Sequence, residues 1–205
     1  MDVKKFWKWA RLVVNLVNFP NLIRSRKLRI VSEIEINGAA KLVAESVLRA
    51  VIKGTTPNLK TLHVHLEEGQ DSTDAALLSQ AALKVEKFSV TGSQASQVQA
   101  VLTAVSQSED IALKDLHLGG YLDFIDLHGV SPDILGRAAV KLESLTGSLR
   151  LSPAQLEEIL TRLATTRQSQ LRKLSTTRLQ MRFSTMSISP LSRSLTCSLR
   201  SRTLI

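Results

Sequence analysis

Four histidines, a set of carboxylates and a single cysteine are the residues with the most chemistry in them. His63 and His65 stand two apart, a spacing that turns both imidazoles to one side of an extended segment. Two such rings can share a zinc ion, but the site then needs a third protein ligand. If neighbouring segments lie side by side, Glu35 is one strand from His63, and His117 is two strands away, about 10 Å. His128 falls in a turn and Cys197 lies close to the C-terminus. No ligand set closes, so no metal is expected. Nucleophilic catalysis has less support: serines are abundant, but none sits in a G-x-S-x-G turn and no Ser-His-Asp set can be placed by spacing. Gly119-Gly120 reads as a tight turn rather than a phosphate cradle, and neither a P-loop nor a GxGxxG occurs. Asp115, Asp123 and Asp126 are close together but lack the spacing of a calcium loop. The expectation is a protein that is not an enzyme, with no cofactor and no small-molecule substrate.

The elements that carry these side chains repeat. Leu113-Lys-Asp-Leu116-His-Leu118 has apolar residues at its first, fourth and sixth places, and the same hexamer is read from Val31, Leu59 and Val85. It returns with losses from Leu142, where the sixth place is Gly147, and from Leu171, where it is Thr176. The first positions are separated by 28, 26, 28, 29 and 29 residues. Short length and alternation make each hexamer a strand. Helices are expected over about 40–53, 74–84, 96–106, 131–141 and 152–165. Val98, Val101, Leu102 and Val105 follow the i, i+3, i+4, i+7 pattern of a helix with one apolar stripe, and so do Leu156, Ile159, Leu160 and Leu163. Ser131-Pro132 and Ser152-Pro153 are matched helix starts, with Ser expected to accept a backbone N–H and Pro at a position whose N–H has no partner to lose.

A strand–turn–helix unit of this size cannot bury its own apolar face, so units must stack, with parallel strands on one side and helices on the other. The hexamers, their 28- and 29-residue spacing and one helix per unit resemble leucine-rich repeats of the ribonuclease-inhibitor type over about residues 28–176. The resemblance implies an α/β horseshoe with parallel strands on the concave side and helices on the convex side. It also implies a protein-binding role, as the recognition part or a fragment of a larger intracellular receptor. The family's Asn or Cys three places after the hexamer is Ala39, Glu67, Ser93 and Tyr121 here, so the turn backbone groups must find other partners. Leu149 and Leu151 are the residues placed to do the work of the missing apolar side chain at Gly147.

The concave sheet should then present the polar places of the hexamers: Glu33, Glu35, Lys60, His63, His65, Glu86, Ser89, Lys114, Asp115, His117, Glu143, Thr146, Arg172 and Ser175. Mixed charge of this kind suits the polar surface of another protein, although any exposed sheet must carry polar residues somewhere.

The formal net charge of +9 lies entirely at the C-terminal end: residues 159–205 hold nine Lys and Arg and no acid, and residues 1–158 cancel at 18 of each sign. Residues 1–29 hold eight basic and one acidic residue, while residues 30–158 hold 10 basic and 17 acidic. The repeat body is acidic between basic ends, so the pI says little about what the body binds. Residues 1–27 are read as a terminal cap carrying an amphipathic helix over 4–18, with Phe6, Trp9, Val13 and Leu16 on one stripe. Residues 177–205 are read as a basic Ser/Thr/Arg-rich tail without a fold. The rival function class is a binder of anionic membrane or nucleic acid through these ends. Phe183 is the tail's one aromatic, a poor platform for base stacking. One cysteine excludes an intramolecular disulfide and, with no signal-peptide pattern or membrane-length apolar run, points to the cytoplasm.

Overall fold

A computed structural model describes residues 11–14, 31–37, 41–66, 73–120, 124–166, 169–176 and 180–182. The hexamers become strands β2 (Glu33–Asn37), β3 (Thr61–His65), β4 (Lys87–Ser93), β5 (Asp115–Gly120), β7 (Ser144–Gly147) and β9 (Lys173–Ser175). Between them run α1 (Lys41–Ile52), α2 (Ala75–Ala82), α3 (Ala95–Gln107), α4 (Pro132–Lys141) and α5 (Pro153–Thr165). Two short strands, β6 (Ile125–Asp126) and β8 (Leu149–Arg150), pair with each other in parallel. The main sheet adds β1 (Arg11–Val14) at one edge and β10 (Gln180–Arg182) at the other, in the order β1-β2-β3-β4-β5-β7-β9-β10. All its pairings are parallel except β9 with β10.

Strand order follows chain order because each helix carries the chain back to start the next strand beside the last, as parallel neighbours require. The apolar places of the hexamer explain the packing. Ile34, Leu62, Phe88, Leu116, Leu145 and Leu174 share one row of the sheet and are 0–1% exposed. The first-place residues, from Val31 to Leu171, are buried as well. Each helix packs on the next in sequence, and one apolar cluster runs continuously from Val31 to Leu174. The other face of the sheet carries the alternate residues and is left partly exposed.

The polar groups of the turns are satisfied by side chains that the hexamer pattern does not reveal. Gln155, third residue of α5 and 2% exposed, donates from Nε2 to the carbonyls of Leu127 (2.7 Å) and Val130 (2.8 Å) one unit earlier. Its Oε1 accepts from the Ser152 N–H at 2.8 Å. Gln97, third residue of α3, does the same for Thr73 O (2.8 Å) and Gln94 N–H (2.9 Å). The two glutamines lie 58 residues apart, two lengths of 29, whereas α2 and α4 carry Leu77 and Ile134 at that place. Ser93, three places after its hexamer, donates to Gly119 O at 3.2 Å; Ala39, Glu67 and Tyr121 lie outside the described residues. Ser152 caps α5 as expected, accepting from Gln155 N–H at 3.2 Å. Ser131 does not use its hydroxyl this way; its carbonyl takes the Leu135 N–H at 3.2 Å and Pro132 fills the first turn.

Two expectations for the ends are corrected. Residues 11–14 are a strand, not part of a helix over 4–18; the rest of that stretch lies outside the described residues. Val13 and Val14 are β-branched, and the outer edge of β2 offers a row of unpaired N–H and C=O groups that a strand satisfies and a helix does not. Within the tail, Gln180–Arg182 pairs antiparallel with β9, Met181 opposite Leu174. The last unit therefore has a covered edge. At the weak fifth hexamer, Gly147 has φ 148°, and a Cβ there would stand 1.8 Å from the Leu118 carbonyl oxygen. The chain turns at that point into β8, which seats Leu149 at 1% exposure, so Leu149 takes the place of the missing side chain while Leu151 is only partly buried.

Candidate functional site

The exposed sheet face is built of three rows. The first holds Glu33, Thr61, Lys87, Asp115, Ser144 and Lys173, each opposite the next on a neighbouring strand. The second holds Glu35, His63, Ser89, His117, Thr146 and Ser175. A shorter third row holds Asn37, His65 and Thr91. Nine expected residues thus come together: Glu33, Glu35, His63, His65, Ser89, Asp115, His117, Thr146 and Ser175.

Lys60, Glu86, Lys114, Glu143 and Arg172 are not in these rows, and here the expectation is corrected. They occupy the second place of the hexamer, one residue ahead of each strand, and form a rim. Their backbone is what joins the units: Glu86 O accepts from Lys114 N–H (2.8 Å) and Asp115 N–H (3.1 Å), and Lys114 O accepts from Glu143 and Ser144 N–H groups at 2.8 and 3.1 Å. The face residues overlooked in their stead are Thr61, Lys87, Ser144 and Lys173, together with Thr91. The signal was available, because third and fifth places of a strand share a side whereas the second does not.

Charges on face and rim balance. Between β2 and β9 there are five cations, Lys60, Lys87, Lys114, Arg172 and Lys173. There are five carboxylates, Glu33, Glu35, Glu86, Asp115 and Glu143. Their exposure differs: all five cations are exposed and all five carboxylates are only partly so. Lys60 pairs with Glu86 at 3.7 Å and Lys87 with Asp115 at 3.3 Å, each lysine reaching across to the next unit.

Three of the four histidines of the chain stand on this face, each ring held from an adjacent strand. His63 Nε2 lies 3.6 Å from Glu33 Oε1. His65 Nδ1 is 2.7 Å from Thr91 Oγ1, and His117 Nδ1 is 3.0 Å from Thr146 Oγ1. Loss of water around the His117 ring, followed by the like charges of His63 and Lys173, lowers its pKa below the ordinary 6.5.

Ser89 sits between His63 and His117 in the second row, the nearest approach on this face to a nucleophile with a base. His117 turns Nδ1 to Thr146, and no hydrogen bond joins Ser89 to either ring. Among the described residues no three of His, Cys, Asp and Glu gather closely enough to hold a metal ion; Asp123 and Cys197 lie outside them. Away from the face, a shallow recess at the end of α1 is lined by Val51, Gly54, Pro57, Leu59 and Lys84 among others, with no imidazole or carboxylate in its lining. Among the described residues no helix is long and apolar enough to cross a membrane. Of the basic ends, only residues 11–14, 159–166, 169–176 and 180–182 are described. Comparison with family models, with curated proteins and with solved structures finds no match to this chain.

Proposed function

We propose that the units form a leucine-rich-repeat horseshoe of the ribonuclease-inhibitor type, and that its concave sheet binds a protein partner without carrying out chemistry. The observation that carries this reading is the sheet face itself: two ordered rows of polar side chains left partly exposed across six hexamer-derived strands, with a shorter third row across three. The curvature follows from spacing. Strands sit about 4.8 Å apart, whereas packed helices need about 8–10 Å. One helix per strand therefore bends the stack toward the strands. Rigid elements present the face, which keeps the entropy cost of docking low. A single cysteine fits a reducing compartment such as the cytoplasm.

The test is reversal of charge on the face, with Glu35→Lys and Lys173→Glu combined. The far-ultraviolet circular dichroism spectrum should be unchanged, since neither side chain is in the core, and capture of partners from cell extract should be lost. Undiminished capture by the double variant would remove the face as the site. Retention on anionic vesicles or oligonucleotides that ignores these substitutions and vanishes without residues 177–205 would move the function to the basic ends.

A further inference from the structure

The face is charge-balanced only while its histidines are neutral. Imidazole is the one unperturbed side chain that changes charge between pH 5 and 8, so His117 bears on the sign of this surface. Protonation does not act evenly along it. His63 Nε2 faces a carboxylate, Glu33 Oε1, at 3.6 Å. His117 has none of that kind: around it stand Thr146 and Ser144 on β7, Ser89 and Lys87 on β4, and Lys173 on β9. Asp115 on its own strand is engaged by Lys87 at 3.3 Å. Glu143 on the rim is flanked by Lys114 and Arg172, and the short strands β6 and β8 bring Asp126, near His128 at 3.6 Å, and Arg150, over the Phe124 ring at 5.4 Å.

We infer that the β5–β9 half of this face receives an acidic segment of the partner, and that His117 strengthens the contact as the pH falls. The inference rests on the proposal that the face is a binding surface. Three observations carry it. The cations of face and rim are more exposed to solvent than the carboxylates, so positive charge is the more accessible to an approaching chain. Ser144 and Thr146 on β7 lie between β5, which carries His117, and β9, which carries Lys173 and Ser175, giving small hydroxyl donors beside cations, a floor suited to carboxylates. The Thr146 hydroxyl at Nδ1 fixes the His117 ring and leaves Nε2 to meet the ligand. An incoming carboxylate offsets the repulsion from Lys173 and His63, so binding draws a proton onto His117. By linkage, protonation then tightens binding by the same factor.

The experiment uses the full chain, with hexaglutamate and hexalysine peptides as probes, at low salt. Imidazole proton shifts are followed by NMR from pH 7.5 to 6.0, a range in which the glutamates stay ionised. Hexaglutamate should raise the His117 pKa, and its affinity should rise over that range by as much as about tenfold for each unit of pKa change. His117→Gln should abolish that rise without altering the circular dichroism spectrum. An unchanged rise in His117→Gln, or binding by hexalysine and not hexaglutamate, overturns the inference. So does hexaglutamate that binds without moving the His117 resonance, which is the result expected from capture by the basic tail alone. Should any of these occur while the Glu35→Lys/Lys173→Glu variant still loses its cellular partner, the binding face stands and only the acidic, proton-linked partner is lost.

Discussion

Replacing Gln155 by leucine removes three hydrogen bonds while keeping nearly the same volume, so its cost isolates the polar joint between units. Two groups then lose their partner outright, the Val130 carbonyl and the Ser152 N–H; the Leu127 carbonyl keeps the Val130 N–H at 2.8 Å. A buried polar group left unpaired costs about 1–3 kcal/mol. The Val130 carbonyl sits in the interior and takes the upper part of that range, and the Ser152 N–H, nearer the surface, takes the lower part. Together they give about 2–4 kcal/mol, a large share of the roughly 5–15 kcal/mol that holds a domain together. Gln97→Leu strands the Thr73 carbonyl and an N–H of the exposed residue Gln94, which water can reach, so its cost should be about 1–2 kcal/mol. Urea unfolding followed by circular dichroism reads both. Gln155→Leu must lower the midpoint more than Gln97→Leu, because more of what it breaks is sealed from water. A loss below about 0.5 kcal/mol for Gln155→Leu, or the reverse ranking, would refute the idea that these glutamines take over the turn bonding.

Gly147→Ala puts a Cβ against the Leu118 carbonyl at a φ of 148°, so the backbone must move; thermal unfolding should show a loss above the roughly 1–3 kcal/mol of backbone strain alone. Lys141 donates to the carbonyls of Val105, Ser106 and Ser108 at 3.3, 2.8 and 2.6 Å, which caps the end of α3; Lys141→Met should cost about 1–2 kcal/mol by urea denaturation. His117 has a lowered pKa in the folded chain, so in the window below 6.5 the unfolded chain binds more protons, and stability falls as pH falls through that window and is flat above it. The drop in urea midpoint between pH 7.5 and 5.5 should be smaller in His117→Asn than in the unsubstituted chain; an equal drop would show that His117 is not responsible.

The layered α/β order was readable because two unrelated patterns agreed. Apolar residues at the first, fourth and sixth places marked the strands, apolar residues at helical spacing marked α3 and α5, and Ser-Pro pairs marked the starts of α4 and α5. Position along the hexamer was harder to turn into position on the face. Lys60 and Thr61 are both polar neighbours of buried leucines, and only the pleat decides that Thr61 faces outward while Lys60 forms the rim. The edge strands were misread for a different reason. Val13 fits an apolar helical stripe with Phe6, Trp9 and Leu16 as well as it fits a strand, and what selects the strand is the unpaired edge of β2, a tertiary feature that no local pattern encodes. Gln97 and Gln155 were passed over because a glutamine in a first helical turn is usually solvated; burial under the preceding unit is what makes these two matter.

The claim on which the rest depends is that the uncovered rows of the sheet, and not the helix layer, meet the partner. A photoreactive amino acid placed at Ser89, in the middle of the second row, and separately at Glu157, an exposed position on α5, tests it directly in cell extract. The account predicts a covalent adduct from Ser89 and none from Glu157. An adduct from Glu157 with none from Ser89 would contradict it.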